Sequence, residues 1–179
     1  EFGFVTTTLL AQVDASIRRK NGVNLLGYKN IIGTFKQPSF VFCDIKMLQT
    51  LPLLEIKCGL AEIIKHALIA DVNMFQYLEK HTQKILQLNP AVIEELVYQS
   101  IKIKLQIVTQ DEKEKGERKK LNFGHTFGHA IEKNTQLKHG EAVAMGIKIA
   151  TKLSWKHGLL STQTVSKIEN LLNSYQLLL

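Results

Sequence analysis

Cysteine and long apolar runs are the features that this sequence most conspicuously lacks. Its two cysteines, Cys43 and Cys58, do not have the C-x-x-C spacing of a redox or zinc motif. We therefore expect two buried, reduced thiols, as in a cytosolic protein. No apolar run approaches the roughly 20 residues that span a bilayer, and no secretory signal precedes the first apolar stretch. The sequence thus predicts a cytoplasmic protein without a membrane partner.

Aromatic residues are also scarce, at 7% of the chain, although basic residues exceed acidic ones by 23 to 16. A nucleic-acid-binding surface usually concentrates such an excess on one face with aromatics between the charges. Here the lysines are spread along the chain, so we predict no nucleic-acid partner. A small anionic substrate, carrying phosphate or carboxylate, explains the charge equally well.

Apolar periodicity predicts a mainly α-helical body of five or six helices. The first begins near residue 57, and Asp71 can cap the second. Asn89-Pro90 ends the second helix and starts a third, of about residues 90–110. A charged loop leads to helices at about 123–135 and 140–157, and Ser161 or Thr162 can cap the last, which reaches about 174.

The first 40 residues have a different composition, rich in glycine, asparagine and lysine. "TTTLLAQVDASI" predicts a short helix capped by threonine, and "FVFCD" at 40–44 predicts a strand. Between them, residues 18–35 have the composition of an extended, turn-rich loop.

"LNFGHTFGHAIE", residues 121–132, carries two histidines four residues apart. On a helix, His125 and His129 face the same way. The spacing is that of H-E-x-x-H metalloproteases, but Thr126 replaces the glutamate, which argues against protease chemistry. Gly124 and Gly128 would let a ligand or another helix approach closely. Two metal ligands, one ligand with a proton-transfer group, and an ordinary helix with satisfied histidines all remain open.

Other residues could complete a metal site. His139 begins the next helix, above a stripe predicted to be buried: Ala142, Met145, Gly146, Ile149 and Ala150. Glu62 lies on an apolar helix face, where a carboxylate needs a cation or hydrogen bonds. Histidines with one carboxylate suit zinc or a similar ion. The remaining histidines, His66, His81 and His157, are predicted to be surface or packing residues.

Four polar residues would suit an anionic ligand if they converged: Lys65, Lys104, Arg118 and Asn122. Taken alone, each is expected to be solvated. Together, the arginine would bind a carboxylate or phosphate in bidentate fashion and the lysines would add point charges.

Several segments resemble the 3-dehydroquinate synthases, in order and over about residues 5–158: "TTLLAQVDAS", "KNIIGTF", "GLAEIIK", "LNFGHTFGHAIE" and "HGEAVAMGI". The resemblance implies an NAD-binding α/β domain followed by an α-helical metal domain, with the active site between them. On that basis residues 1–50 would be an inter-domain, nucleotide-site segment. Residues 51–179 would be the α-helical metal- and substrate-binding domain of this fold.

The resemblance also implies roles for individual residues. The metal ligands, for zinc or cobalt, would be Glu62, His125 and His139. Proton transfer would fall to His129 and Glu114. Substrate binding would involve Asp14, Lys20, Asn30, Lys65, Lys104, Arg118 and Asn122. The NAD site would include Thr7, Thr8, Lys20, Lys29, Met47, Leu48, Gln49 and Thr50.

The implied reaction converts 3-deoxy-D-arabino-heptulosonate 7-phosphate to 3-dehydroquinate and phosphate, in a homodimeric enzyme of the shikimate pathway. Arg18 and Arg19 replace two glycines of the family pattern, and we predict that the chain alone is not a competent synthase. The ending "LLNSYQLLL" is predicted to expose an apolar tail. Another sugar-phosphate cyclase, such as a 2-deoxy-scyllo-inosose synthase, and a non-catalytic metal-binding or dimerisation fragment are the alternatives.

Overall fold

A computed structural model describes residues 1–17, 20–25, 28–111 and 114–178, and within 20–35 it describes the backbone only. Strands β1 (Phe4–Thr6) and β4 (Val41–Cys43) form a parallel pair. Strands β2 (Lys20–Leu25) and β3 (Tyr28–Phe35) form an antiparallel pair. The strand predicted at 40–44 is therefore confirmed.

The turn-rich loop predicted over 18–35 is wrong where the backbone is described, because β2 and β3 form a ladder in which Gly22 lies opposite Gly33. The composition of this stretch was misleading. Its glycines and asparagines are typical of loops, but the β-branched residues between them, Val23, Ile31 and Ile32, favour strands.

Six α-helices follow, which confirms the mainly α-helical prediction for the described part of the chain. They are α1 (Leu53–Ala70), α2 (Val72–Leu86), α3 (Pro90–Gln110), α4 (His125–Asn134), α5 (His139–Lys156) and α6 (Thr162–Ser174). Between the strands and α-helices, the described residues also form a π-helical turn at Ala11–Ala15 and 3₁₀ helices at Ile45–Thr50 and Glu117–Asn122.

Local capping explains where the helices begin. The Asp71 carboxylate accepts hydrogen bonds from the backbone N–H groups of Asn73 and Met74, at the start of α2. The Ser161 hydroxyl likewise accepts from the Thr164 N–H at the start of α6. Each cap satisfies backbone donors that have no partner within the helix.

Helix α1 lies at the centre of the fold and contacts α2, α3 and α5. Its Leu60, Ile63 and Ile64 are completely buried. Leu9 and Val13, from the first segment, belong to the same hydrophobic core. No helix in the described ranges is both long and apolar enough to cross a membrane.

Helices α4 and α5 are in close backbone contact at their glycines. A Cβ added at Gly146 would lie 1.9 Å from the Gly124 carbonyl oxygen, and one at Gly128 would lie 3.1 Å from the Ala142 carbonyl oxygen. Gly124 also has a φ of +79°, which favours glycine. Of the two reasons that the sequence allowed for these glycines, contact between helices is the one that the structure shows.

The buried face of α5 differs from the predicted stripe, because α5 packs against both α1 and α4. Ala142 and Gly146 are buried as expected, together with Val143, Ala144 and Ile147. Ile149 is 36% exposed, and Met145 and Ala150 are half-buried.

The apolar tail predicted to be exposed is instead packed into the core. Tyr175 is completely buried, Leu177 is 2% exposed, and the Tyr175 hydroxyl donates a 2.8 Å hydrogen bond to the Leu78 carbonyl oxygen in α2. The chain turns back after α6 through Gln176, whose φ is +54°. Both cysteines are free thiols, but only Cys58 is buried and Cys43 is half-buried.

Candidate metal centre

Helix α1 places the Glu62 carboxylate inside the core, where it is completely shielded from solvent. Lys65, one turn further along, forms an ion pair with Glu62 Oε2. Burial by itself would raise the pKa of Glu62, but the charge of Lys65, aided by His139 and His125, holds that pKa below its usual range. Glu62 is therefore an ionised carboxylate in a buried position.

The second carboxylate oxygen of Glu62 is approached by two imidazoles. The Nε2 atoms of His125 and His139 each lie 3.4 Å from Oε1. His125 is the first residue of α4 and His139 the first residue of α5, so the packing of α4 on α5 and of α5 on α1 brings the three side chains together. One ligand atom from each residue lies within 4.8 Å of the other two.

The opposite ring nitrogens of the two histidines face acceptors. His125 Nδ1 is 3.3 Å from the Phe123 carbonyl oxygen, and His139 Nδ1 is 3.5 Å from Glu132 Oε2. An acceptor at Nδ1 favours a proton on that nitrogen. In a neutral ring this leaves the lone pair on Nε2, the atom that faces Glu62.

This donor set fits a divalent cation. Within the described residues, no donor meets hydrogen-bond geometry at Glu62 Oε1, although two histidine nitrogens lie 3.4 Å away. A buried carboxylate oxygen without a hydrogen bond is costly, and a cation among these three atoms would satisfy it. One carboxylate oxygen and two imidazole nitrogens are ligands that zinc accepts while keeping a position open.

The two histidines differ in their affinity for protons. Burial lowers the pKa of His125. The close Glu62 carboxylate raises the pKa of His139 against the effect of burial, and the charge of Glu132 adds to this. A metal ion would therefore compete with a proton mainly at His139.

His129 lies beside this group without belonging to it. Its ring centroid is 5.2 Å from that of His125 and 6.4 Å from that of His139, and its side chain is exposed. The three atoms that could share an ion come from Glu62, His125 and His139. The proton-transfer role of His129 stays a prediction.

A second polar cluster shares Glu62 with the first; the sequence named Asp14 and Lys104 as substrate-binding candidates but missed His66. Lys104 Nζ lies 2.5 Å from Asp14 Oδ1, with both side chains buried. His66, predicted to be a surface or packing residue, is completely buried, and its Nδ1 is 2.7 Å from the Ser100 hydroxyl. Ring and carboxylate atoms of His66, Asp14 and Glu62 lie within 4.8 Å of one another.

This second cluster is a poorer cation site than the first. Asp14 and Glu62 each have a lysine partner, and burial lowers the pKa of His66 to about 3, with Lys65 contributing. The neutral His66 occupies its Nδ1 with Ser100. One signal in the sequence could have found His66, since it follows Glu62 by four residues on α1 and therefore shares its face.

The predicted anion-binding residues fall into two groups. Lys65, Lys104 and Arg118 are 1%, 3% and 7% exposed, so the expectation that each is solvated is wrong. Asn122 is exposed, and its side-chain amide donates a 3.3 Å hydrogen bond to Glu114 Oε1. Among the other predicted substrate residues, Lys20 and Asn30 have side chains outside the described part of the structure.

Most of the predicted nucleotide-site residues follow β1 and β4, the first strand pair, along the chain. Thr7 is exposed just after β1, and the Thr8 hydroxyl accepts a hydrogen bond from the Ala11 N–H. Residues 47–50 belong to the Ile45–Thr50 turn. Leu48 is 1% exposed, and its side chain packs in the hydrophobic core. The Lys29 side chain, like Arg18 and Arg19, lies outside the described residues.

Comparison with solved structures shows which class of protein has this fold. The chain is similar to ValA, a 2-epi-5-epi-valiolone synthase from Streptomyces hygroscopicus subsp. jinggangensis 5008 solved with NAD⁺ and Zn²⁺ bound. The TM-score is 0.90 and the identity 30%, over 98% of this chain and 50% of that one. It is also similar to a 2-deoxy-scyllo-inosose synthase complexed with carbaglucose-6-phosphate, NAD⁺ and Co²⁺, with a TM-score of 0.89 and 32% identity, over 98% of this chain and 48% of that one. The fold is that of the sugar-phosphate cyclases.

Sequence comparison then identifies the family within this class. Residues 59–179 match the family profile described as 3-dehydroquinate synthase C-terminal, and residues 1–58 match the one described as 3-dehydroquinate synthase N-terminal. The chain belongs to the 3-dehydroquinate synthase family, as the sequence predicted.

Individual relatives are enzymes of that name. The Helicobacter pylori (strain ATCC 700392 / 26695) 3-dehydroquinate synthase is 45% identical over 181 residues, 99% of this chain and 51% of that protein. The Dehalococcoides mccartyi synthase is 46% identical over 173 residues, 96% of this chain and 48% of that protein. The chain spans about half the length of the curated relatives it matches.

Proposed function

We propose that this chain is the metal- and substrate-binding half of a 3-dehydroquinate synthase. The reaction is the conversion of 3-deoxy-D-arabino-heptulosonate 7-phosphate to 3-dehydroquinate and phosphate, with NAD and zinc or cobalt as cofactors. The observation that carries the proposal is the convergence of Glu62 Oε1 with the Nε2 atoms of His125 and His139, each 3.4 Å away.

Glu62, His125 and His139 are the residues that would hold the cation. A bound divalent ion supplies Lewis-acid stabilisation of negative charge on substrate oxygens. The protein fixes the three ligands before the ion arrives, since Lys65 holds Oε2 of Glu62 and the two Nδ1 atoms face acceptors. Such preorganisation reduces the cost of ordering side chains on binding.

We propose that the three buried cations serve a substrate that carries both a carboxylate and a phosphate. Lys65 and Lys104 each neutralise a buried carboxylate, Glu62 and Asp14. We assign anion binding to Lys65, Lys104 and Arg118. The planar guanidinium can pair with a carboxylate or phosphate through two hydrogen bonds.

Proton transfer is assigned to two residues with different surroundings. The exposed imidazole of His129 lies next to the ring of His125 and can exchange protons with solvent. Glu114 accepts from the Asn122 amide and has a left-handed backbone, with a φ of +57°. Substrate roles for Asp14, Asn122, Lys20 and Asn30 complete the assignment.

The nucleotide site would use the other predicted segment. Thr7, Thr8 and residues 47–50 follow β1 and β4, the two strands of the parallel pair. Ligands of α/β proteins commonly bind at the carboxyl ends of parallel strands. We also propose that Lys20 and Lys29 contribute to NAD binding. The proposal further includes a cytoplasmic location and a homodimeric assembly.

Metal content tests the ligand assignment directly. We expect the purified 179-residue chain to retain a stoichiometric divalent ion by elemental analysis, and Glu62→Ala, His125→Ala and His139→Ala to lose it. His157→Ala, which changes an exposed histidine just after α5, is the matched control. Unchanged metal content in all three ligand variants would show that the assignment is wrong.

We expect activity to require the part of the curated relatives that this chain does not span, so it is best measured in a chimera. In this chimera the chain replaces the matching half of the Helicobacter pylori synthase, to which it is 45% identical. We expect NAD-dependent phosphate release from the heptulosonate phosphate by the chimera and none by the isolated chain. Release by the isolated chain would refute its predicted incompetence. An inactive chimera that still binds metal would favour the non-catalytic alternative.

A related cyclase activity is the second candidate, because the two cyclase structures match this fold with TM-scores of 0.90 and 0.89. The same chimera should be offered glucose 6-phosphate, the sugar phosphate that carbaglucose-6-phosphate imitates. Faster phosphate release from it than from the heptulosonate would favour this candidate. The 45% identity to dehydroquinate synthases, against 30–32% to these cyclases, supports the first.

A further inference from the structure

Glu132, near the end of α4, contacts the candidate metal site without belonging to the ligand group. Its Oε2 lies 3.5 Å from His139 Nδ1, and the two side chains are 19% and 25% exposed. Glu132 follows His125 by seven residues, about two helical turns. One face of α4 therefore carries both a candidate ligand and a residue that reaches the other candidate histidine.

An imidazole binds a metal through the nitrogen that carries no proton, and the partner of the other nitrogen decides which one that is. An ionised carboxylate can only accept hydrogen bonds. With a cation between Nε2 and Glu62, the proton of a neutral ring lies on Nδ1, where Glu132 Oε2, 3.5 Å away, can accept it. That Nε2 is the atom 3.4 Å from Glu62 Oε1.

We propose that Glu132 is the positioning residue of the metal centre: it fixes the tautomer and ring orientation of His139 through Nδ1, so that Nε2 points at the cation. This inference depends on the metal site proposed above. The equivalent contact of His125 is made by a backbone carbonyl, that of Phe123, which substitution cannot remove. Glu132 is thus the contact that a side-chain change can test.

The test is the affinity of the 179-residue chain for Co²⁺, measured by competition with a chelator in three variants. Glu132→Ala removes the acceptor, and Glu132→Gln keeps a neutral acceptor of the same shape. Glu141→Gln is the matched control. It also removes one negative charge near His139, but Glu141 accepts from the Lys138 backbone N–H instead of from an imidazole.

We expect Glu132→Ala to weaken Co²⁺ binding about 10–100-fold, the range for loss of a group that orients a metal ligand. Glu132→Gln should fall between Glu132→Ala and the unsubstituted chain. Glu141→Gln should stay within about threefold, since Glu141 accepts from a backbone N–H instead of the imidazole and its partly solvated charge is screened. Equal losses in Glu132→Ala and Glu141→Gln would overturn the proposal, because the effect would then be one of general charge.

The outcomes separate this proposal from the one on which it rests. If the unsubstituted chain binds no Co²⁺, the metal site itself is wrong. If it binds and His139→Ala abolishes binding, while Glu132→Ala binds as tightly as the unsubstituted chain, only the positioning role is wrong. Circular dichroism must show that Glu132→Ala is folded.

A measurement on the unsubstituted chain remains decisive if Glu132→Ala does not fold. Nitrogen-15 chemical shifts of His139, recorded with Zn²⁺ bound, report which ring nitrogen carries the proton and which binds the ion. A protonated Nδ1 in the unsubstituted chain and a mixture of tautomers in Glu132→Gln support the proposal. A protonated Nε2 in the unsubstituted chain refutes it.

Discussion

Gly146→Ala should separate α4 from α5 and thereby reduce both stability and the metal affinity of the proposed site. An ideal Cβ at residue 146 would lie 1.9 Å from the Gly124 carbonyl oxygen and 2.7 Å from the Gly128 nitrogen. Ordinary contact begins at 3.4 Å, so the two backbones must separate by about 1.5 Å locally. Both obstructing atoms belong to backbone, which cannot swing aside as a long side chain can.

The expected magnitude combines two opposing effects. Overpacking of this kind costs about 1–3 kcal/mol, and the rigid obstruction places Gly146→Ala at the upper end. Alanine is about 1 kcal/mol better than glycine within a helix. The net loss in the free energy of unfolding is therefore about 2 kcal/mol. With a urea dependence of about 2 kcal/mol per molar for a chain of this size, the unfolding midpoint should fall by about 1 M.

Urea unfolding followed by circular dichroism measures the loss, and Co²⁺ titration measures the effect on the site. Because His125 begins α4 and His139 begins α5, we expect Co²⁺ affinity to fall about tenfold or more when the helices separate. Gly158→Ala is the control. Its φ of +72° makes alanine unfavourable, yet nothing lies within 4 Å of the new methyl group, so it should lose stability and keep its metal affinity.

An unfolding midpoint of Gly146→Ala equal to or above that of the unsubstituted chain would refute the close packing described for α4 and α5. A lower midpoint with unchanged Co²⁺ affinity would agree with the close packing of α4 and α5. It would contradict the inference that this packing sets the distance between His125 and His139.

Three further predictions concern the buried polar groups. Burial lowers the pKa of His66 from 6.5 to about 3, so its neutral ring stabilises the fold fully above pH 6.5 and progressively less as pH falls towards 3. At pH 4.5 this effect should lower the free energy of unfolding of the metal-free chain by about 2–3 kcal/mol. The free energy of unfolding of His66→Gln should therefore depend less steeply on pH. An identical slope in the two proteins would contradict the prediction. Lys104→Met removes the cation from the buried pair with Asp14 and should lower the free energy of unfolding in urea by about 3–5 kcal/mol. The double variant Asp14→Asn/Lys104→Met should regain part of that loss. A double variant no more stable than Lys104→Met would contradict the pairing. Tyr175→Phe should lower the free energy of unfolding by about 1 kcal/mol, because the Leu78 carbonyl keeps a second donor in the Thr82 hydroxyl; no change in thermal midpoint would show that the hydroxyl contributes nothing.

The helices were predictable because their signals are local. Asp71 and Asn89-Pro90 mark helix ends within three residues of the groups they cap. The β2–β3 ladder was not predicted, since its pairing joins residues up to fifteen positions apart, as in Lys20 opposite Phe35. The composition of that stretch reflects its turn residues as much as its strands.

The candidate site was predictable only in part. Spacing on one helix showed that His125 and His129 share a face, but it left open which of them approaches a carboxylate 63 positions earlier. Family resemblance supplied that choice. The contacts of Glu132 with His139 and of His66 with Ser100 depend on how separate helices pack, which periodicity along one helix does not specify.

The burial of the tail likewise could not be predicted from local sequence. A run of leucines after α6 indicates an apolar surface but not what covers it. The structure places Tyr175 against α2, 97 residues away along the chain. The same holds for Gly124 and Gly128, because the α5 residues that they contact lie 14 to 23 positions further along the chain.

The first segment is held to the helices by more than its peptide connection. Leu9 and Val13 are completely buried in the shared core, and Asp14 is paired with Lys104 on α3, 90 residues away. Cleavage by trypsin after the exposed Lys36 would therefore give two peptides that stay together as a non-covalent complex. The nicked protein would migrate as two bands under denaturing conditions and as one species in a native gel.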